Sequence, residues 1–259
     1  MRRYALPLPS LRFVAVWRRN LLVWRKLAVA SVLGNIADPM IALVAFGYGL
    51  GALLPSVEGV AYVQYLAAGT ICMSAMNAAT FEALYSAFSR MHVQRTWDGI
   101  MNASVDLDDI VLGELAWAAT KALMSGVAII AVAACLGLAH GYTALFILPV
   151  TLLAGLAFAA IGLVFNALAR GYDFFTYYFT LVVTPMSFMS GVFFPVAQLP
   201  PWLAQIAGFL PLTHAVDLVR PLLLGKWPPA PALNVAVLAT YAAGATYCAL
   251  VLTRRRLLA

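Results

Sequence analysis

Residues 232–256 read ALNVAVLATYAAGATYCALVLTRRR, twenty-two positions without a charged side chain and then Arg254-Arg255-Arg256. A helix of about 20 residues covers the hydrocarbon thickness of a bilayer, roughly 30 Å. Arginines at the end of such a helix are held on the cytoplasmic side. The run therefore reads as a membrane span with its C-terminal end inside the cell. Five more apolar runs precede it, at about 35–54, 62–88, 110–138, 145–169 and 174–194. Composition agrees, since 64% of the 259 residues are hydrophobic and only 10% are charged. A soluble domain has about 25% charged residues and could not hide this much apolar surface. The fold class is an all-α membrane protein of six transmembrane helices, multi-pass in a bacterial inner membrane.

The basic residues set the orientation. With the N-terminus inside, thirteen of the 16 Lys and Arg fall on inner segments, Arg220 and Lys226 fall on outer ones, and Lys121 lies within a span. Both termini are thus cytoplasmic, and an odd number of spans would strand the arginine triplet outside. These cations flank apolar runs instead of forming a stripe, so they point to lipid headgroups and exclude nucleic acid as a partner. Met1-Arg2-Arg3 and the two prolines after it lack the compact apolar core of a cleavable signal.

Ahead of the first span, residues 10–28 read as an amphipathic helix. Phe13, Trp17, Leu21, Trp24 and Ala28 recur at helical spacing on one side. Arg12, Arg18, Arg19, Arg25 and Lys26 lie on the other. Such a helix lies in the headgroup plane, its tryptophans anchored and its cations meeting anionic lipid. The chain divides into an interfacial segment, 1–29, and a transmembrane domain, 30–259. Within the latter, 89–109 is an inner loop, and Asp38-Pro39 suits the first turn of the first span, with Asp38 as a cap. The proline-rich segment 195–229 carries short helices on the outer face, one starting at Pro200-Pro201-Trp202. A single broken seventh span is the alternative there.

Catalytic motifs are missing. No G-x-x-x-x-G-K-[ST] occurs, so the chain has no P-loop of its own. His92, His140 and His214 lack metal-ligand spacing. Cys72, Cys135 and Cys248 sit singly in apolar runs, without a metal or disulfide framework. Ser190-Gly191 does not make a hydrolase motif, because Phe188 stands where the motif wants glycine. Neither a catalytic residue nor a bound metal is expected.

Charges within spans are costly and mark structure or function. Glu82 falls near the inner end of the second span, and Lys121 lies in the third, with Glu114 seven residues before it. Lys121 is expected to pair with Glu82 or Glu114, either as a static register pin or in transport. In the inner loop, Arg90, Arg95, Trp97 and Asp98 mix charge with a large aromatic, a composition suited to docking a cytoplasmic partner. Asp106, Asp108 and Asp109 crowd the start of the third span, where the helix dipole favours carboxylates. Aromatics gather around the fifth span. Tyr177, Tyr178 and Phe193 form either an interfacial belt with ordinary packing or a lining for a substrate path, and Pro185 is placed to kink that helix. Glycines near the first span, Gly34, Gly47, Gly49 and Gly51, permit close helix approach.

The amphipathic start, six spans, inner loop and short outer helices resemble the ABC-2-type transporter permeases. Three stretches are similar to the nodulation-factor export branch of that family: 85–121 (YSAFSRMHVQRTWDGIMNASVDLDDIVLGELAWAATK), 172–200 (YDFFTYYFTLVVTPMSFMSGVFFPVAQLP) and 211–225 (PLTHAVDLVRPLLLG). QRTW, DIVLGE and SGVFFP are the specific parts. The resemblance implies a half-transporter that pairs with a second copy of itself. Two copies of a separate P-loop ATPase would bind ATP and Mg. It implies that Gln94, Arg95, Thr96, Trp97 and Asp98 form a coupling helix, with Arg90 beside it, and that the N-terminal segment is an elbow helix. The implied cargo is a lipid-linked or amphipathic glycan such as a lipochitooligosaccharide. One departure is Met101-Asn102-Ala103-Ser104, where a proline-containing turn is expected. The competing reading is an ion- or proton-driven secondary transporter, which needs titratable groups near mid-membrane.

Overall fold

A computed structural model describes residues 10–54 and 56–258. The basic pair Arg2 and Arg3 and the side chain of Asp38 lie outside the described residues. Helix α1 (Phe13–Arg25) is followed after a two-residue turn by α2 (Ala28–Gly49), whose last turn tightens at Leu50–Ala52. A small antiparallel hairpin, β1 (Ser56–Val57) and β2 (Val60–Ala61), leads into α3 (Tyr62–Phe81). The helical path of α3 runs on through two π-helical segments, Glu82–Ser86 and Ser89–Val93. Then come the short α4 (Thr96–Asn102), the long α5 (Leu107–Cys135) and α6 (Ile147–Leu168). An interrupted helix follows, made of α7 (Asp173–Tyr178), a π turn at Phe179–Val183, and α8 (Thr184–Met189). Helices α9 (Pro201–Ala207), α10 (Pro211–Leu223) and α11 (Pro231–Leu257) complete the chain.

Among the described residues, four stretches are long and apolar enough to cross a bilayer: Ala28–Ala52, Leu107–Cys135, Tyr142–Leu168 and Pro231–Leu257. They match the first, third, fourth and sixth runs read from the sequence. The second and fifth runs are also helical, but π turns break their regularity and polar residues such as Thr70, Ser74 and Asn77 lower the hydropathy of α3. α3 tolerates those residues because it is the centre of the bundle, packed by α2, α5, α6 and α10. Its small side chains let neighbours close in. A Cβ on Gly69 would stand 2.6 Å from the Val192 carbonyl oxygen, so only glycine fits there.

Several boundaries differ from the sequence reading, each for a local reason. The amphipathic helix stops at Arg25, and α2 starts at Ala28, earlier than the apolar run suggested. Pro39 therefore lies inside α2 and not in its first turn. Pro185 follows the π turn and enters α8 within its first two positions, where its missing N–H costs little. Pro211 opens α10, again within the first two positions. α9 and α10 bend by 83° at a break of three residues, too sharply for one straight span.

Long-range contacts sort the loops into two ends. At one, Ser10 bonds Asp109 at 2.7 Å, Arg12 donates to the Ser104 carbonyl at 2.7 Å, and Arg254 pairs with Asp108. At the other, Tyr62 donates to the Phe193 carbonyl, the His140 amide donates to the Leu223 carbonyl, and Thr143 donates to the Leu222 carbonyl. The first end carries the N-terminal helix, α4 and the C-terminal arginines; it is the basic end.

Candidate functional site

The site at the basic end begins with how α1 sits on α5. Val16 faces Gly113, and a Cβ there would come within 2.6 Å of the Val16 Cβ, so the two helices touch backbone to side chain. The tryptophans read as headgroup anchors turn toward the protein. Trp17 donates its indole N–H to Thr120 at 3.0 Å, and Trp24 meets Trp117 edge to face at 6.0 Å. Arg18, Arg25 and Lys26 stay exposed, while Arg19 is half-buried and donates to the Asn20 side chain. Asn20 is buried, and its Nδ2 reaches Glu114 at 3.2 Å.

Glu114 is the hub. Arg90 binds it through Nε at 2.9 Å and through a second guanidinium nitrogen at 2.5 Å, while the same guanidinium reaches Glu82 at 2.8 Å. The indole of Trp97 donates to Glu114 at 3.2 Å, and that of Trp117 donates to Glu82 at 2.8 Å. Lys121 lies 3.7 Å from the other Glu82 oxygen and donates to Ser31 of α2 at 3.0 Å. Of the two partners the sequence leaves open for Lys121, Glu82 is the one in reach. Two cations and two carboxylates thus neutralise one another, and tryptophan, asparagine and serine donors share the remaining bonding capacity. A charged cluster survives burial only when it is completed in this way. It ties together α1, α2, α3 and its π extension, α4 and α5.

The inner-loop residues fall into two sets. Arg90 and Trp97 belong to the interior; Trp97 is 1% exposed, and its indole reaches Glu114. Gln94, Arg95 and Asp98 are exposed, and Thr96 is half-buried. Arg95 takes a left-handed conformation, φ 49°, which swings the chain into α4. Ser104, φ 61°, supplies the turn that lacks proline, with Arg12 holding its carbonyl. Beside the loop, burial and then the nearby Arg256 hold the His92 imidazole below its ordinary pKa, with Asp98 opposing. The aspartates before α5 do more than answer a dipole, since Asp108 meets Arg254 and Asp109 meets Ser10. Arg256 donates to the last carbonyls of α6, at Asn166 and Ala167.

The residues offered for a substrate path are not gathered together. Tyr177 is 65% exposed, Tyr178 is buried against Phe165 at 4.3 Å, and Phe193 stacks on Phe188 at the far end. That far end has its own lock. Gly191, at φ +75°, turns its carbonyl to accept from Tyr65 at 3.1 Å and from Arg220, whose guanidinium lies 3.7 Å over the Tyr65 ring. SGVFFP is therefore specific because of a turn, and DIVLGE because of Gly113 and Glu114. Sequence reasoning missed Asn20, Ser31 and Trp117. Asn20 carried a signal, a polar residue between Trp17 and Trp24 on the packed side of α1.

This arrangement is a helical membrane domain with a short helix keyed into a charged cluster at one end. The model of the ABC-2 type transporter family matches residues 12–224, and the chain belongs to that family. It is a multi-pass membrane transport permease, a family whose ABC transporters work with an ATPase partner. Among curated proteins it is 51% identical to nodulation protein J of Rhizobium leguminosarum bv. viciae over 98% of both chains. It is 48% identical to nodulation protein J of Rhizobium meliloti (strain 1021), over 98% of this chain and 97% of the other. A more distant relative, the inner membrane transport permease YadH of Escherichia coli (strain K12), is 21% identical over 78% of this chain and 79% of its own.

Proposed function

We propose that this chain is the membrane-spanning half of an ATP-driven exporter. Two copies pair, each docks one cytoplasmic P-loop ATPase that binds ATP and Mg, and together they move an amphipathic glycan outward across a bacterial inner membrane. The chain crosses six times, through α2, α3, α5, α6, the α7–α8 path and α11, while α9 and α10 fold over the outer end. Residues 1–29 form the interfacial domain and 30–259 the transmembrane domain, with both termini in the cytoplasm. The excess of Lys and Arg at the basic end supports that orientation.

The observation that carries the reading is the Arg90 cluster. α4 offers exposed Gln94, Arg95 and Asp98 to a partner while its Trp97 is rooted in Glu114. A displacement of α4 reaches α5 through Glu114, α1 through Asn20 and the end of α3 through Arg90. These charges cannot separate cheaply where little water enters, so the assembly moves as one body. The same pairing disfavours a proton-driven carrier, because Glu82 and Glu114 are already engaged by Arg90 and Lys121. Similarity to nodulation proteins J over nearly the full length supports a lipochitooligosaccharide-like cargo.

The test is reconstitution in proteoliposomes with and without a P-loop ATPase subunit that copurifies with the chain. Glycolipid movement is expected only with both subunits and ATP. Movement driven by a pH or sodium gradient with this chain alone would refute the reading.

A further inference from the structure

Between α2, α3 and α5 lies a cleft of about 320 Å³, bordered by the Glu82–Lys121 pair of the cluster and otherwise lined by side chains that none of the roles above uses. Gly34 and Pro39 of α2 form one wall, Asn77, Phe81 and Tyr85 another, and the Glu82–Lys121 pair lies at its base. A second cleft of about 260 Å³ adjoins it, sharing Glu82, Ser86 and Lys121. The first is large enough for a small ligand, such sites starting at roughly 300 Å³. Its chemistry is mixed in a particular way. Phe81 and Tyr85 stack with ring centroids 5.4 Å apart, and Phe81 is 51% exposed although it sits beside a buried ion pair. Lys121 spends donors on Ser31 and Glu82, which leaves a third ammonium proton. The Asn77 carboxamide adds two donors and an acceptor one helical turn before Phe81.

An apolar ligand would leave these polar groups unsatisfied, and a bare anion would have no use for the aromatic face. A sugar ring answers both. Its axial C–H groups lie on an aromatic face, while hydroxyl and acetamido groups at its rim bond amide, hydroxyl and ammonium partners. We infer that this cleft binds one sugar ring of the transported glycan, Phe81 providing the stacking face and Asn77 and Lys121 the polar contacts. The inference rests on the glycan-export reading and adds the site to it. Gly34 matters for room, because among the described residues a Cβ there would meet nothing within 4 Å.

The test uses the full chain in nanodiscs, with tetraacetylchitotetraose as probe and isothermal titration as readout. Saturable binding is expected. Phe81→Leu, which removes the ring face but keeps apolar bulk, should weaken it about tenfold, the equivalent of one lost stacking contact. Gly34→Leu, which fills space without deleting a contact group, should weaken it at least as much. Tyr142→Leu, at an exposed aromatic near the opposite end, should leave it unchanged. Unaltered affinity in both cleft variants would overturn the site. So would competition by short-chain phosphatidylglycerol that is indifferent to Phe81→Leu, which would assign the cleft to a lipid headgroup. The two readings separate in proteoliposomes: glycan transport without saturable binding sinks the cleft alone, whereas absence of both sinks glycan export with it.

Discussion

Arg90→Met is the perturbation that asks most of the charged cluster. The guanidinium touches Glu114 at 2.5 and 2.9 Å and Glu82 at 2.8 Å, and the three side chains are only 12%, 1% and 8% exposed. Removing it leaves two buried carboxylates with Lys121 as the remaining cation of the cluster. Glu114 then keeps only neutral donors, Trp97 and Asn20, each at 3.2 Å. Breaking a buried ion pair by deleting one partner costs about 3–5 kcal/mol, far more than the pair is worth against an apolar replacement. The expected loss of stability is therefore in that range, read by equilibrium unfolding in mixed micelles through tryptophan fluorescence. Arg90→Met combined with Glu114→Gln restores neutrality while Glu82 and Lys121 stay paired, and should recover more than half of the loss. Coupling should not recover with it, since α4 and α5 no longer share a charge, so ATPase stimulation by substrate stays low in the double variant. A single variant that loses less than about 1 kcal/mol would mean water screens these charges as it does at a surface. The cluster would then not move as one body.

Other consequences follow from single contacts. Trp97→Phe keeps the ring but removes a hydrogen bond to a carboxylate, a loss of about 1.5–3 kcal/mol; recovery of the ATPase subunit in pull-downs should fall while the chain still folds. Gly113→Val drives a side chain into Val16, where even a Cβ would sit 2.6 Å away, and overpacking of this kind costs about 1–3 kcal/mol; limited proteolysis should then release α1. Tyr65→Phe removes one of the two donors on the Gly191 carbonyl, costing about 1 kcal/mol in thermal unfolding and leaving assembly with the ATPase unchanged. His92, held below its ordinary value of 6.5 by burial, gives stability that is present above that pH and lost as the pH falls through it toward the native value. His92→Gln should flatten that part of the stability profile.

What the sequence disclosed was what depends on neighbours along the chain. Apolar length gave the helices, the arginine triplet gave the end of α11, and Pro200-Pro201 gave the start of α9. The cluster depends on contacts between residues far apart in sequence, and spacing does not encode these. Arg90 sits one residue past a polar serine at the end of an apolar run, so any window assigns it to a loop; only the π extension of α3 brings it back over Glu114. Trp97 looks like a surface aromatic because its neighbours are charged, yet its indole finds the one carboxylate that also needs Asn20. The side of α1 that packs most deeply is hidden for the same reason. Burial follows Val16 and Asn20, which face Gly113 and Glu114, and the apolar periodicity alone cannot reveal those partners.

The two helical paths that fall short of an unbroken apolar span are the two that widen into π turns, and the turns meet. Phe81 is the last residue before Glu82–Ser86, Phe179 is the first of Phe179–Val183, and their rings lie 4.5 Å apart. A π turn lengthens the local hydrogen-bond register and loosens the ladder where it occurs, which is why such turns gather at functional positions. The contacts around this level are aromatic, Tyr85 against Phe175 at 5.2 Å and Phe88 against Tyr172 at 5.1 Å. Ring contacts tolerate sliding, since dispersion has little directional preference. The hydrogen-bonded charges interleaved with these rings, Glu82 next to Phe81 and Arg90 two residues past Phe88, do not. Under the proposed coupling, a push entering through α4 would be carried by these stiff, directional bonds while the ring packing beside them gives, so the bundle would yield at the Phe81–Phe179 level. That level borders the cleft lined by Phe81 and Tyr85. Under the proposed reading, the side chains that would hold a sugar ring border the level where the two π turns meet, which is where an exporter's grip would have to change.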